Sequence, residues 1–241
     1  MTDVVIPKES LKRIISDISQ IVKNPLHDSG IYYEHDETNI LKGYAMIVPE
    51  EESPYQHGYF FFTVEFPSNY PYSPPKMQYL TNNGRTRFHP NFYRNGKVCL
   101  SILNTWKGEQ WTSCNTLTSV LLNVVTLFTK HPFLHEPGIT ETHESFEDYT
   151  DAVEYQNFNT AIYSVLAEQK FMNKLSPLGE HFGDAIADSF SKNAKSILSR
   201  LKKKAEIKKV SYPIEVPFYK MRETINYPEL YQKLKEYNNS L

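Results

Sequence analysis

Residues 89–103 of this chain read His89-Pro90-Asn91-Phe92-Tyr93-Arg94-Asn95-Gly96-Lys97-Val98-Cys99-Leu100-Ser101-Ile102-Leu103. A polar His-Pro-Asn triplet therefore ends eight residues before a cysteine that opens a short apolar run. The dipeptide Asn95-Gly96 between them is typical of a turn. This arrangement can hold an amide side chain over a thiol.

The composition predicts a folded protein, and the sequence shows no pattern typical of a membrane helix or a metal site. The chain has 241 residues, of which 40% are hydrophobic, so it can bury a proper core. A net charge of −2 gives no general attraction to nucleic acid, and no apolar run approaches the roughly 18 residues of a membrane helix. The first residues lack the basic-then-apolar pattern of a signal peptide, so none is expected, and the histidines lack metal-ligand spacing.

Two cysteines, Cys99 and Cys114, are too few for a secreted disulfide framework and fit a reducing compartment. We therefore expect a protein of the cytoplasm or the nucleus. Cys114 is predicted to be a loop thiol without function. For Cys99, judged without its neighbours, a buried core position is an alternative to a reactive thiol.

The hydrophobic pattern predicts an α+β fold. An amphipathic helix is expected over 8–23, followed by four β segments at 31–33, 40–48, 59–66 and 76–80. Their short connections favour an antiparallel meander. Three prolines within 69–75 predict a rigid connector, and further helices are expected near 115–130 and 151–169. A sheet with helices after it is the α+β pattern.

Beyond about residue 171 the sequence becomes a helical extension. Its first amphipathic helix ends in a cluster of lysines, Lys202, Lys203, Lys204, Lys208 and Lys209. This cluster is either a solvated helix end or a docking patch for an acidic partner. A proline-containing link over 212–217 leads to a last helix near 227–237. The predicted division is a core domain over 1–170 and an extension over 171–241 that packs on or beside it.

These features together resemble the ubiquitin-conjugating enzymes. The resemblance rests on the first helix, the sheet, Tyr70-Pro71-Tyr72-Ser73-Pro74-Pro75, His89-Pro90-Asn91 and Cys99, in this order and spacing. The cysteine loop, the insert over 106–111 and His135-Glu136-Pro137-Gly138 resemble the larger Z-type members, as does the extension. The resemblance implies the family's fold, with an N-terminal helix, a four-stranded antiparallel meander and following helices.

The resemblance also implies a transfer reaction in two steps. The Cys99 thiolate would accept ubiquitin, or a ubiquitin-like protein, from an activating enzyme as a thioester, and a substrate lysine would then attack it. A thiol suits both steps because its thiolate is a good nucleophile and a good leaving group. ATP is consumed on the activating enzyme, so no cofactor is expected. The implied partners are the modifier, the activating enzyme and a ubiquitin ligase, and the chain is expected to be a monomer. The pathway implies a eukaryotic cell, and the gene could belong to that cell or to an agent that infects it.

Roles for further residues follow from the same resemblance. Asn91 would stabilise the oxyanion of the tetrahedral intermediate or, alternatively, hold the active-site loop. His89 and Pro90 would be structural, although His89 could instead transfer a proton. Glu136 would orient the lysine amine or accept its proton, unless it is an ordinary exposed loop acid. The acids that follow would attract lysine-bearing substrates or simply be solvated: Glu141, Glu144, Glu147, Asp148 and Asp151.

Partner surfaces are carried over from the family as well. The first helix meets the activating enzyme, which points to Lys12 and Arg13 as exposed contacts. The ligase surface uses the Tyr72 position and the loop after the active site, here Thr112 and Ser113. Tyr72 could alternatively be partly buried packing.

Three positions depart from the family pattern. The loop Trp111-Thr112-Ser113-Cys114 stands where many members have Ser-Pro-Ala, which puts standard RING-ligase binding in doubt. Ser101 stands where many members have aspartate, as the Z-type resemblance explains. His57 replaces the first glycine of the usual Gly-Gly turn, which that resemblance does not explain.

Two other functions remain as alternatives. A noncatalytic ubiquitin-binding adaptor would share the fold, but such variants typically lack the cysteine. A cysteine hydrolase would pair Cys99 with a histidine base, and no separate nucleophile motif supports that pairing.

Overall fold

A computed structural model describes residues 5–241. The predicted first helix is α1 (Lys8–Lys23), which buries Ile14 and Ile21. Glu9 in its first turn and Lys23 in its last turn complement the helix dipole. Asp17, which the helical pattern assigns to the polar face, is buried instead.

The sheet is the predicted antiparallel meander. Its strands β1 (Ile31–His35), β2 (Lys42–Ile47), β3 (Phe60–Glu65) and β4 (Lys76–Tyr79) pair in chain order. The register places Ala45 of β2 opposite Phe62 of β3. The strand β3 is a nearly continuous apolar run because both of its faces are covered. Phe60 and Phe62 face the main core, and Phe61 faces a second apolar cluster on the other side.

The core helices differ in length from the prediction. Helix α2 (Leu117–Val125) is N-capped by Thr116, whose hydroxyl forms a capping box with Ser119, and it ends earlier than expected. Leu127 and Phe128 form tight turns after it. Helix α3 (Phe146–Gln156) begins earlier than expected and continues through a π-helical segment, Asn157–Ser164, into α4 (Val165–Ala167). Its early start is consistent with two acids in the first turn, where the helix dipole favours them.

After α4 the chain forms α5 (Gln169–Lys174), α6 (Leu178–Ile207), a hairpin of β5 (Tyr212–Val216) and β6 (Met221–Ile225), and α7 (Tyr227–Asn239). The hairpin occupies the place of the expected proline link. Pro213 is tolerated because each strand of a two-stranded ribbon has a free edge. The extension is mainly helical, as predicted, but it also contains a two-stranded sheet that was not predicted.

Polar contacts fix the extension to the core. Arg200 of α6 donates to Glu154 Oε1 at 2.6 Å and to the carbonyl oxygen of Ser53 at 2.7 Å. Lys204 also pairs with Glu154. The buried Glu223 of β6 accepts hydrogen bonds from Thr86 and Gln156 of the core.

Apolar contacts join the same parts. Leu178, Phe182 and Ile186 of α6 complete the second apolar cluster, which covers the outer face of β2 and β3. The domain boundary at 170 stays a prediction. Within residues 5–241, no helix combines the length and the apolar character needed to cross a membrane.

Candidate active site

The loop that carries the cysteine folds back on itself at Asn95-Gly96. Gly96 has a φ of +88° and donates its N–H to the Tyr93 carbonyl at 2.8 Å. A Cβ at this position would lie 2.7 Å from the Gln78 side chain, so glycine is needed for space as well as for conformation. The turn brings the two arms of the loop together, and the Cys99 N–H donates to the Asn91 carbonyl at 2.9 Å.

The Asn91 side chain completes this pairing. Its Nδ2 donates a hydrogen bond of 2.6 Å to the Cys99 carbonyl oxygen. Cys99 itself is 2% exposed. The amide therefore lies against the backbone of the cysteine and binds the loop, which is the geometry of the loop-holding alternative.

His89 is fully buried, and its ring accepts a hydrogen bond from the Asn91 N–H at Nδ1, at 3.0 Å. Burial lowers the pKa of His89 well below its usual value, and His135 and Arg87 lower it further. The ring is therefore neutral at pH 7 and carries its proton on Nε2. This environment suits a scaffold for the loop better than a proton carrier.

Arg87 supports the same loop, which the sequence alone did not indicate. Its Nε donates to the His89 carbonyl at 3.1 Å, and its Nη2 donates to the Pro90 carbonyl at 2.6 Å. Its guanidinium also lies over the Tyr93 ring, 3.4 Å from the centroid. The only available signal was an arginine two residues before the histidine.

Glu136 lies on the other border of the site. It follows the 3₁₀ turn Pro132–His135, and the His135 ring lies 4.8 Å from the His89 ring. Glu136 is half-buried, and its Oε2 accepts a hydrogen bond of 2.5 Å from the Tyr219 hydroxyl. It is therefore not an ordinary exposed loop acid.

The acids after Glu136 divide into two groups. Glu141, Glu144, Glu147 and Asp148 are exposed. Asp151 is half-buried, and burial raises its pKa although Lys204 opposes the shift.

Comparison with known proteins identifies the family. Residues 13–161, more than half of the chain, match the family model of the ubiquitin-conjugating enzymes. This chain belongs to the ubiquitin-conjugating enzyme family.

Two of its similar relatives are Z-type members of that family. Ubiquitin-conjugating enzyme E2 Z of Xenopus tropicalis is 37% identical over 157 residues, which cover 64% of this chain and 50% of that protein. The Homo sapiens E2 Z is 35% identical over 161 residues, which cover 66% of this chain and 45% of that protein. The resemblance to Z-type members is thereby confirmed, and the chain spans about half the length of these relatives.

Among solved structures, human ubiquitin-conjugating enzyme E2 G1 is 28% identical with a TM-score of 0.45. The match covers 52% of this chain and 97% of that chain.

The first helix of this ubiquitin-conjugating family member presents one of its two predicted contacts. Lys12 is exposed, but the expectation that Arg13 is exposed is wrong. Arg13 Nε pairs with the buried Asp17 at 2.9 Å, and its Nη1 donates to the Ser113 carbonyl at 2.8 Å. Asp17 draws the guanidinium inward because a buried carboxylate needs hydrogen-bond donors.

The predicted ligase surface is accessible. Tyr72 is 75% exposed, so the alternative of partly buried packing is wrong for this residue. Thr112 and Ser113 are exposed as well. Trp111 beside them is buried and donates its Nε1–H to the Pro71 carbonyl at 2.6 Å, which joins the two parts of the surface.

No metal centre accompanies the site within the described residues 5–241. None of their histidine, cysteine, aspartate and glutamate side chains form a group of three that could hold an ion.

Proposed function

We propose that this chain accepts ubiquitin, or a ubiquitin-like protein, from an activating enzyme as a thioester on Cys99 and transfers it to a substrate lysine. The observation that carries the proposal is the Asn91 amide bound to the Cys99 carbonyl, in a chain of the ubiquitin-conjugating family. The cysteine and the asparagine stand together, as the family's chemistry requires. The modifier, the activating enzyme and a ligase are the proposed partners.

Loading is a thioester exchange. The Cys99 thiolate attacks the modifier's C-terminal carbonyl carbon, a new C–S bond forms, and the thiolate of the activating enzyme leaves. A serine at this position would form an oxyester, which an amine attacks much more slowly. No cofactor is needed, because ATP is consumed on the activating enzyme.

Transfer to lysine needs a fixed thioester and a deprotonated amine. The backbone pairing of Asn91 with Cys99 supports a role in fixing the loop, and the amide can also stabilise the oxyanion if its side chain turns toward it. Glu136 is the proposed carboxylate that orients the amine. His89 and Pro90 are the scaffold, since the neutral His89 ring is occupied by the Asn91 N–H.

The two alternatives find less support. A noncatalytic adaptor does not need the thiol that this chain retains. A cysteine hydrolase needs a histidine base, and His89 is fully buried with its Nδ1 already engaged.

Incubation with ubiquitin-activating enzyme, ATP and ubiquitin tests the proposal. We expect an adduct that thiols remove, and an adduct that resists thiols in Cys99→Ser. Cys114→Ser is the matched control and should load like the wild type, because Cys114 is an exposed thiol outside the loop of residues 89–103. A wild-type protein that forms no adduct would contradict the proposal.

A further inference from the structure

The turn of the C-terminal hairpin reaches the border of the candidate active site. Tyr219 lies in the 3₁₀ turn Pro217–Tyr219 between β5 and β6. Its hydroxyl donates a hydrogen bond of 2.5 Å to Oε2 of Glu136, 83 residues earlier in the chain. Thus the acid proposed for lysine transfer is bound by a side chain from the extension.

Contacts with the core fix Tyr219 in this place. Arg94 Nη2 donates to the Tyr219 carbonyl at 2.6 Å. The Tyr219 ring packs against Phe133 and Tyr149, with centroid separations of 5.7 Å and 5.4 Å. The hydroxyl is therefore presented to Glu136 by a side chain that is held on several sides.

The same side chain also adjoins the His-Pro-Asn border. The Arg87 guanidinium lies 5.4 Å from the Tyr219 ring centroid. Arg87 in turn holds the carbonyls of His89 and Pro90. The hairpin turn thus contacts groups on both borders of the candidate site.

The hydroxyl has the right protonation state for this contact. Burial raises the pKa of Tyr219 far above its ordinary value, and Tyr149 and Glu136 raise it further. The hydroxyl therefore keeps its proton at neutral pH and acts as a donor to the carboxylate. A donor on Oε2 restricts the rotation of the carboxylate and leaves Oε1 for another partner.

We propose that Tyr219 is a positioning residue for lysine transfer, and that it acts by orienting Glu136 toward the incoming amine. The proposal rests on the proposed function. In that step the lysine nitrogen forms a bond to the thioester carbon, and the C–S bond breaks with its electron pair on Cys99. The proton of the amine passes by way of Glu136 to the leaving thiolate or to solvent. The extension thereby supplies part of the transfer machinery.

Tyr219→Phe in the full chain tests this assignment, because it removes the hydroxyl and keeps the ring. We expect normal loading on Cys99, whereas discharge to free lysine should be about three- to tenfold slower, since the variant loses a hydrogen bond to a charged acceptor. Tyr237→Phe is the matched control. Tyr237 lies in α7 with its ring 5.8 Å from Phe190, away from Glu136, and should discharge at the wild-type rate.

A double-mutant cycle separates positioning from a general structural effect. If Tyr219 acts through Glu136, the Tyr219→Phe/Glu136→Gln double variant should discharge no more slowly than Glu136→Gln alone. The assignment would be overturned if the two substitutions slowed discharge additively, or if Tyr219→Phe alone discharged as fast as the wild type or faster. Failure of the wild type to load would instead refute the proposed function, so the two failures are distinguishable.

Discussion

The side-chain amide of Asn91 and the backbone carbonyl of Cys99 form a hydrogen bond of 2.6 Å across the active-site loop. A second hydrogen bond runs in the opposite direction, from the backbone N–H of Cys99 to the backbone carbonyl of Asn91. Asn91 is thus bound to Cys99 twice, which makes it the residue whose replacement is most informative.

We predict that Asn91→Ala still loads ubiquitin but discharges it to lysine about 10²-fold more slowly, if the amide acts as an oxyanion donor. Single-turnover loading and discharge assays measure the two steps separately. Hydrogen exchange of residues 91–99 then distinguishes the two roles, because only a loop-holding amide protects these N–H groups. Wild-type discharge by the variant would remove Asn91 from the mechanism.

Four buried or half-buried histidines predict a loss of stability in acid. Burial lowers the pKa of His89, His57, His35 and His135 in the folded state, so the unfolded chain binds more protons below about pH 6.5. The histidine contribution to the free energy of unfolding is therefore fully present above that pH and is lost as the pH falls toward the folded-state values. Denaturant unfolding at about pH 7 and about pH 5 measures the difference in the free energy of unfolding.

His89→Gln isolates one part of this effect. The variant should show a shallower pH dependence of unfolding than the wild type, because the most strongly buried of these rings no longer titrates. An unchanged dependence would refute the assignment to His89.

His57 adopts a left-handed backbone conformation, with a φ of +63°. The position therefore demands what the family's glycine provides, although the histidine itself remains unexplained. We predict that His57→Gly is more stable than His57→Ala by about 1 kcal/mol, because neither residue has a ring to pack and only alanine has a Cβ that is strained in this conformation. Thermal and denaturant unfolding of the two variants give the comparison, and equal stability would contradict it.

The ion pair of Arg200 with Glu154 joins the extension to the core, so we expect it to contribute to the free energy of unfolding. Its side chains are only 22% and 9% exposed. Arg200→Leu should destabilise the chain by roughly 2 kcal/mol, because the buried Glu154 keeps only Lys204 as an ionic partner and the Ser53 carbonyl loses its donor. The exposed pair of Arg222 with Glu215 is the matched control, and Arg222→Leu should cost no more than about 1 kcal/mol. Denaturant unfolding measures all of these variants, and similar losses at the two pairs would refute the prediction.

Much of the fold follows from local patterns. The 3.6-residue period predicts α1 with the bounds that the structure has, and the apolar segments predict the four-stranded meander. The hairpin of β5 and β6 is missed because Pro213 and Pro217 indicate a link, whereas the alternating burial of β6 becomes visible only against the core.

The site shows the same limit. His89, Asn91 and Cys99 are predicted together because a single turn joins them within one short stretch. The burial of Asp17 and the contact of Tyr219 with Glu136 depend on partners distant in the chain, for which the sequence carries no local signal. The wrong expectation that Arg13 is exposed has the same cause, because its partner Ser113 is also distant in the chain.

The outer face of the sheet has a consequence for solubility. Tyr44, Met46 and Phe61 are almost completely buried, and they share an apolar cluster with α6. A chain shortened after residue 170 would expose these side chains to water as one apolar patch, and such patches promote self-association. Residues 1–170 alone are therefore expected to self-associate in solution.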